Sequence, residues 1–289
     1  MRPSFLAGAR LQPATAPDPR RTLPSKVVSR SRRSLVLGLL ALALAVTACG
    51  GGSNDAQVKR AKPSITPTTR PVAPTTTVPD YISYIATVNP AVASVGVYAS
   101  PDAAQPTQQF PNPWLYEADN PDTKVPQTFL VKTRRDDGWI EVLLPVRPNG
   151  STGWVHASDV TLTANPYHVV VSLGAHTITV SKERGVLYTG PVAVGTPDTP
   201  TPTGIYYLYV LLQAPDPTGP YGPYAYGLSS HSDALATFNG GDAEIGIHGN
   251  ADASLLGQDV SHGCIRMDND AITMLAGQLP LGTPVAVVP

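Results

Sequence analysis

The sequence predicts a mainly β protein: two folded units behind an export segment. Three observations carry this. Short runs of β-branched and aromatic residues recur from Val92 to the C-terminus, separated by turns rich in Pro, Gly and Asn. Helical spacing is clear only near the end, at Ala271–Leu279, so one or two short helices are expected. A Pro- and Thr-rich segment separates an Arg-rich N-terminal block from the first β run, and 289 residues leave room for two modest domains.

The N-terminal block reads as targeting. Residues 1–33 hold eight Lys/Arg and one Asp, leaving 12 basic against 20 acidic residues in the rest of the chain. An acidic mature protein is a poor partner for nucleic acid. Ser31-Arg32-Arg33-Ser34 leads into an uncharged apolar run, Leu35 to Val46. That run is too short to span a bilayer, which takes about 20 residues, and it fits the core of a signal peptide. It ends in Val46-Thr47-Ala48-Cys49, which resembles a bacterial lipobox. The resemblance implies cleavage before Cys49 and attachment of lipid to it. The protein would then be exported and held at the outer face of the cytoplasmic membrane. An ordinary secretory signal with a chance cysteine is the alternative.

Residues 1–48 are therefore expected to be a lipoprotein signal peptide and 49–80 a lipid-anchored linker. Pro63-Ser64-Ile65-Thr66-Pro67 and Thr75-Thr76-Thr77 typify the linker. Such a composition buries no core and reads as a semi-rigid tether. At about 3.1 Å per residue it reaches on the order of 90 Å, enough to lift a folded unit towards a wall polymer.

Residues 81–163 are expected to form the first unit. Strands are predicted at Val92–Tyr98, Thr128–Lys132, Trp139–Leu143 and Trp154–Ala157. Gly138-Trp139 and Gly153-Trp154, joined through Pro148-Asn149-Gly150-Ser151, resemble the paired Gly-Trp strands of a bacterial SH3-like barrel. Trp139 and Trp154 either face a wall-binding surface or fill a small core. The Pro-rich stretch Pro101 to Pro126 departs from a minimal barrel.

Residues 164–289 are expected to form the second unit. Tyr167–Ser172, His176–Ser181 and Val186–Val194 read as a meander, followed by a strand at Ile205–Leu212. Gln213 to Gly240 reads as a Pro-, Gly- and Tyr-rich loop, whose Tyr221, Tyr224 and Tyr226 either line a substrate path or pack the loop. Ile245 and Ile247 alternate inward and deliver His248 at a strand end, broken by Gly249. Asp268-Asn269-Asp270 caps the helix, and Pro284–Val288 closes the fold as a strand.

The chemistry concentrates in Ile245-Gly246-Ile247-His248-Gly249-Asn250 and Ser261-His262-Gly263-Cys264-Ile265-Arg266-Met267. Cys264 is one of only two cysteines, and Arg266 is the only Lys or Arg after Arg184. If Cys49 is lipidated, Cys264 is a lone thiol in an exported protein. A free thiol, with a pKa near about 8.5, is mostly protonated at pH 7, and a neighbouring imidazole raises its nucleophilicity. His262 and His248 precede it by two and sixteen residues. Gly263 permits a close backbone approach, so the Gly263 and Cys264 amides are candidates to hold an oxyanion. Chemistry alone does not rank the two imidazoles. Two His and one Cys also make three zinc ligands, with no fourth standing out.

His-Gly followed by Ser-His-Gly-Cys-Ile-Arg-Met resembles the catalytic domain of the L,D-transpeptidase (YkuD-like) family of cell-wall enzymes. Gly195-Thr196 and Pro200-Thr201-Pro202-Thr203-Gly204 extend the resemblance across most of the second unit. It implies a β-rich YkuD-like catalytic domain, which here follows the SH3-like small barrel that the Gly-Trp strands resemble. Cys264 would be the nucleophile and His248 the proton acceptor and donor, its tautomer fixed by the Gly249 carbonyl. His262 and Gly263 would shape the site. Ser261, Gly249, Tyr226 and Arg266 would face substrate, with Arg266 either holding a carboxylate or pairing with Asp268.

The implied substrate is a peptidoglycan stem peptide. Attack would expel the terminal D-alanine, and a neighbouring amine would take the acyl group to make a 3→3 crosslink, without metal or organic cofactor. Carbapenems are the implied inhibitors. A carboxypeptidase, an enzyme attaching proteins to the wall, and a non-catalytic wall-binding lipoprotein are the competing readings.

Overall fold

In the computed structural model, residues 12–13, 82–116 and 124–289 are described. The signal segment, Cys49 and the linker lie outside the described residues, apart from Gln12–Pro13, which pairs with Leu212 and Gln213.

The N-terminal part is a five-stranded antiparallel sheet. Its order across the sheet is Val160–Asn165, Ser83–Val88, Thr128–Arg134, Trp139–Leu143, Thr152–His156. Alternation along the strands turns Ala86, Phe129, Ile140, Val142 and Val155 into a core, each under 5% exposed. The Pro-rich stretch contributes a strand, Gln108–Pro111, against Ser94–Val97. Asn112 ties this stretch down: its amide donates to the Asn89 and Val92 carbonyls, and its Oδ1 accepts from the Gln127 amide.

Trp139 and Trp154 do not fill this core. Their strand positions alternate with the buried ones, so both stay half-buried. Trp139 stacks obliquely on His156 at 4.0 Å and meets Tyr98 edge-on at 5.1 Å, while Arg135 lies over Trp154.

The second part is a large curled sheet. Gly185–Pro191, Thr177–Lys182 and Tyr167–Ser172 form the expected meander. Pro284–Val288 pairs parallel to Tyr167–Ser172 and antiparallel to Gly204–Gln213. Tyr224–His231 and Glu244–His248 continue the sheet antiparallel, and Ile265–Arg266 ends it in parallel. Tyr224–His231 therefore corrects the expected loop: this Tyr- and Ser-rich stretch is an interior strand with seven of eight residues buried. The helix Asn269–Ala276 packs Ile272 and Leu275 onto the sheet. Asp268 caps it by accepting from the Ala271 amide at 2.9 Å.

The long strand Gly204–Gln213 serves two cores. Tyr206 and Leu208 join the cluster under the helix, while Tyr207 and Tyr209 join the core of the N-terminal sheet. A register shift between Leu208 and Val210 changes the parity, so Val210 and Leu212 also face the N-terminal core. The two sheets share that core. Arg147 adds polar ties across them, donating to the Ser232, Leu235 and Asp242 carbonyls.

Candidate functional site

Strand parity builds the site. In Glu244–His248, Ile245 and Ile247 enter the core beneath the helix, which turns Glu244, Gly246 and His248 to the opposite face. Ile265–Arg266 lies parallel beside it, with Ile247 opposite Ile265 and His248 opposite Arg266. His248 and Arg266 thus stand side by side, with Cys264 one pleat back, where a backbone hydrogen bond from Gly246 reaches the thiol. Sixteen residues of chain separate His248 from Cys264. The parallel register closes that distance.

The turn leading to Cys264 is braced from both ends. Gly263 adopts φ +117°, where a Cβ would also meet Ile245 Cδ1 at 2.8 Å, so only glycine fits. Ser261 Oγ donates to the Cys264 carbonyl at 2.6 Å and accepts from the Gly263 amide at 3.1 Å. The Gly263 amide is therefore engaged with Ser261, which corrects its expected place among the oxyanion donors. Thr201 Oγ1 donates to the Gly263 carbonyl at 2.8 Å and accepts from the Gly195 amide at 2.9 Å. Thr199 Oγ1 donates to the Ser261 carbonyl. The Gly195–Thr201 loop clamps the turn that carries the thiol.

A pocket of about 180 Å³ opens over this turn, with His248, Ser261, His262, Cys264 and Arg266 in its lining and Tyr221 and Phe238 at its walls. His248 is buried, its Nδ1 2.6 Å from the Gly249 carbonyl. A carbonyl only accepts, so Nδ1 carries the proton and Nε2 keeps a free lone pair. Burial, aided by the Arg266 charge and opposed by the Gly249 hydrogen bond, pulls the His248 pKa down to about 4. Burial pushes the half-buried Cys264 thiol up, opposed by the Gly246 hydrogen bond and Arg266. At neutral pH the resting site is a thiol beside a neutral imidazole, not a preformed ion pair.

Arg266 Nε is buried without a hydrogen-bond partner, and among the described residues no carboxylate forms an ion pair with Arg266. Asp268, its expected alternative partner, is spent on the helix cap. His262 is exposed at the pocket mouth, its ring tilted against Phe238 at 5.3 Å. Tyr221 meets the His248 ring edge-on at 5.0 Å.

Two expected substrate contacts are corrected. Tyr226 is 1% exposed under the helix, where its hydroxyl donates to the Leu275 and Leu279 carbonyls at 3.1 Å. Strand parity sends it to the face opposite His248. Gly249 acts on the imidazole rather than on the pocket: its Cα packs against Gly222 and Asn269, where no side chain fits. The sequence reading missed Thr199 and Thr201 as clamps and Phe238 and Glu244 as pocket residues. It also missed Asn250, which donates to the Met267 carbonyl and holds the two motif strands together. The polar residue at the end of an alternating strand was the available signal for Glu244, since parity puts it on the His248 face. Among the described residues no group of three or more His, Cys, Asp or Glu is placed to hold a metal ion.

The family model for the L,D-transpeptidase catalytic domain matches residues 166–287. A Bacillus subtilis protein named as L,D-transpeptidase YkuD is 39% identical over 122 residues, covering 42% of this chain and 66% of that one. Another from the same species, named as L,D-transpeptidase YqjB, is 32% identical over 137 residues, 44% of this chain and 73% of its own. A crystal structure of a Mycobacterium tuberculosis L,D-transpeptidase aligns over 59% of this chain and 75% of its own, at 20% identity and a TM-score of 0.38. This chain thus spans about two thirds of the length of the Bacillus subtilis YkuD relative, and the matched segment holds the whole braced turn, His248 and Arg266. The chain belongs to the L,D-transpeptidase family of acyltransferases that carry the YkuD catalytic domain.

Proposed function

We propose that the protein is a cysteine-dependent peptidoglycan L,D-transpeptidase. The observation that carries this reading is the His248 tautomer: with Nδ1–H given to Gly249, Nε2 is the proton acceptor in the pocket that Cys264 shares. Cys264 gives its proton to His248 and attacks the carbonyl of the L-centre of the stem's diamino acid. The Cys264 amide stands nearest the developing oxyanion. Arg266, its Nε unsatisfied, holds a substrate carboxylate. Imidazolium at His248 returns the proton to the leaving D-alanine amine. A stem amine then attacks the thioester, forming a C–N bond as the C–S bond breaks, and a 3→3 crosslink results.

In this reading carbapenems acylate the same thiol. Lipid at Cys49 anchors the exported protein to the outer face of the membrane, residues 49–80 tether it, and 81–163 and 164–289 act as positioning module and catalytic domain in wall biogenesis.

Intact-protein mass spectrometry with a disaccharide-tetrapeptide tests it, with and without a second stem as acceptor. A transient adduct on Cys264 and a crosslinked dimer of stems are expected. An adduct that decays only to tripeptide would make the protein a carboxypeptidase. A folded, reduced protein that forms no adduct would end the reading.

A further inference from the structure

Leu235, Phe238 and Ala243 of the Cys264 pocket belong to one excursion of the chain, residues 232–243, between the strands Tyr224–His231 and Glu244–His248. The excursion is a hairpin with almost no ladder of its own. Its legs meet at the root, where the Ser232 amide donates to the Ala243 carbonyl at 2.8 Å. They meet again at the tip, where Phe238 and Gly241 exchange hydrogen bonds at 2.9 and 3.0 Å. Asn239 and Gly240 turn the tip at φ +47° and +86°, the positive angles of a two-residue hairpin turn. Asn239 hydrogen-bonds to Tyr221, and the Phe238 ring tilts against His262 at 5.3 Å, so the tip rests on two other residues of the pocket.

The missing ladder is supplied from the N-terminal sheet. The turn between Trp139–Leu143 and Thr152–His156 carries Arg147 and Asn149, neither of which lines the Cys264 pocket. On one leg the Arg147 guanidinium donates to the Ser232 carbonyl at 2.7 Å and the Leu235 carbonyl at 3.0 Å. On the other it donates to the Asp242 carbonyl at 2.9 Å and the Asp242 carboxylate at 3.3 Å. One planar fork thus clips both legs. Asn149 holds the root: its amide donates to the His231 carbonyl at 2.7 Å and the Asp233 carboxylate at 3.1 Å, and its Oδ1 accepts from the His231 amide at 2.9 Å. The Leu235 and Asp242 carbonyls bonded to Arg147 lie in exposed surroundings. Water can replace those hydrogen bonds, so their loss costs the fold little. Water cannot hold the two legs at one spacing.

We infer that Arg147 is a positioning residue for the acyl transfer, through which the N-terminal sheet sets the width of the pocket. The guanidinium holds Leu235 and Phe238 in place, so that a slender acyl donor reaches Cys264 and a bulky one does not. The role in acyl transfer rests on the transpeptidase reading; the width is a property of the surroundings of the thiol and is measured without it.

The test is alkylation of Cys264 in the full chain by iodoacetamide and by N-benzhydryl-iodoacetamide, followed by mass spectrometry on the peptide that contains Cys264. Arg147→Lys keeps the charge opposite Asp242 but has no planar fork to bridge the legs. It should raise the benzhydryl rate roughly tenfold, the factor that one charge-assisted hydrogen bond corresponds to, and leave the iodoacetamide rate unchanged. Asn149→Ala should shift the ratio of the two rates in the same direction. With a stem tetrapeptide as donor, Arg147→Lys should raise KM for acylation.

A folded Arg147→Lys protein with the wild-type ratio overturns the inference. So does one in which both rates rise together, because the residue would then only support the fold. If Arg147→Lys does not fold, an unaltered ratio in Asn149→Ala overturns it alone. A wild-type protein that is alkylated but never acylated by the stem would sink the transpeptidase reading and leave the width result standing.

Discussion

At the scale of single residues, the chemistry was legible where a residue type allows few other roles. Cys264, His248 and Arg266, each singled out in the sequence, line one pocket. Tyr226 was not legible, because a tyrosine reads the same in a loop as on a strand. Only the register of Tyr224–His231 decides that its ring points under the helix. Gly263 gives a sharp prediction. Gly263→Ala meets both a positive φ and the Ile245 side chain, so it should cost about 1–3 kcal/mol in denaturant unfolding. It should also slow Cys264 acylation far more than that loss of folded protein explains, because the turn that aims the thiol moves. An alanine variant with ordinary stability and rate would show that the turn relaxes freely.

At the scale of elements, the site depends on a clamp that no single motif announces. Most strands were readable from alternation, and Trp139–Leu143, Tyr167–Ser172 and Pro284–Val288 fall on their expected bounds. Ser83–Val88 and Val160–Asn165 escaped, their alternation diluted by Ser, Thr and Asn. The parallel pairing of Glu244–His248 with Ile265–Arg266 escaped too, since partner choice is long-range and leaves no local pattern. The clamp itself is testable at Thr201, whose hydroxyl joins the Gly195 amide to the Gly263 carbonyl. Thr201→Val keeps the shape and leaves both backbone groups buried and unpaired. It should cost about 1–3 kcal/mol and lower the acylation rate at saturating donor. A variant that loses stability but keeps full kcat would reduce the clamp to a structural role.

At the scale of the whole molecule, two buried groups of opposite character make opposing contributions to the pH dependence of stability. His248 is held neutral, with a pKa of about 4 against an ordinary 6.5. The unfolded chain therefore binds the extra proton between those values, and stability falls as pH drops through that window. Glu244 is raised to about 7 from 4.5, so its contribution is present at low pH and lost as pH rises towards 7. Each amounts to about 3 kcal/mol at full swing, and the slopes oppose one another between about pH 4.5 and 6.5. In denaturant unfolding of the wild-type chain these two contributions should largely cancel across that range, leaving the slope of His231 and His168, both lowered by burial. Glu244→Gln should expose the His248 slope and leave the protein more stable than wild type at pH 8. A variant whose stability is flat with pH would show that His248 is not held neutral by burial.

The central claim is that neutral His248 activates Cys264, and the most direct measurement is the rate of Cys264 acylation against pH in wild type and in His248→Gln, with a saturating stem tetrapeptide. Wild type should keep its rate down to about pH 5 and lose it towards pH 4, as the imidazole takes its proton. His248→Gln should be slower by roughly 10²–10⁴-fold, the usual share of a positioned base, and should lack that acid limb. A His248→Gln protein that acylates within a few-fold of wild type, with a rate that only tracks thiolate formation, would contradict the account.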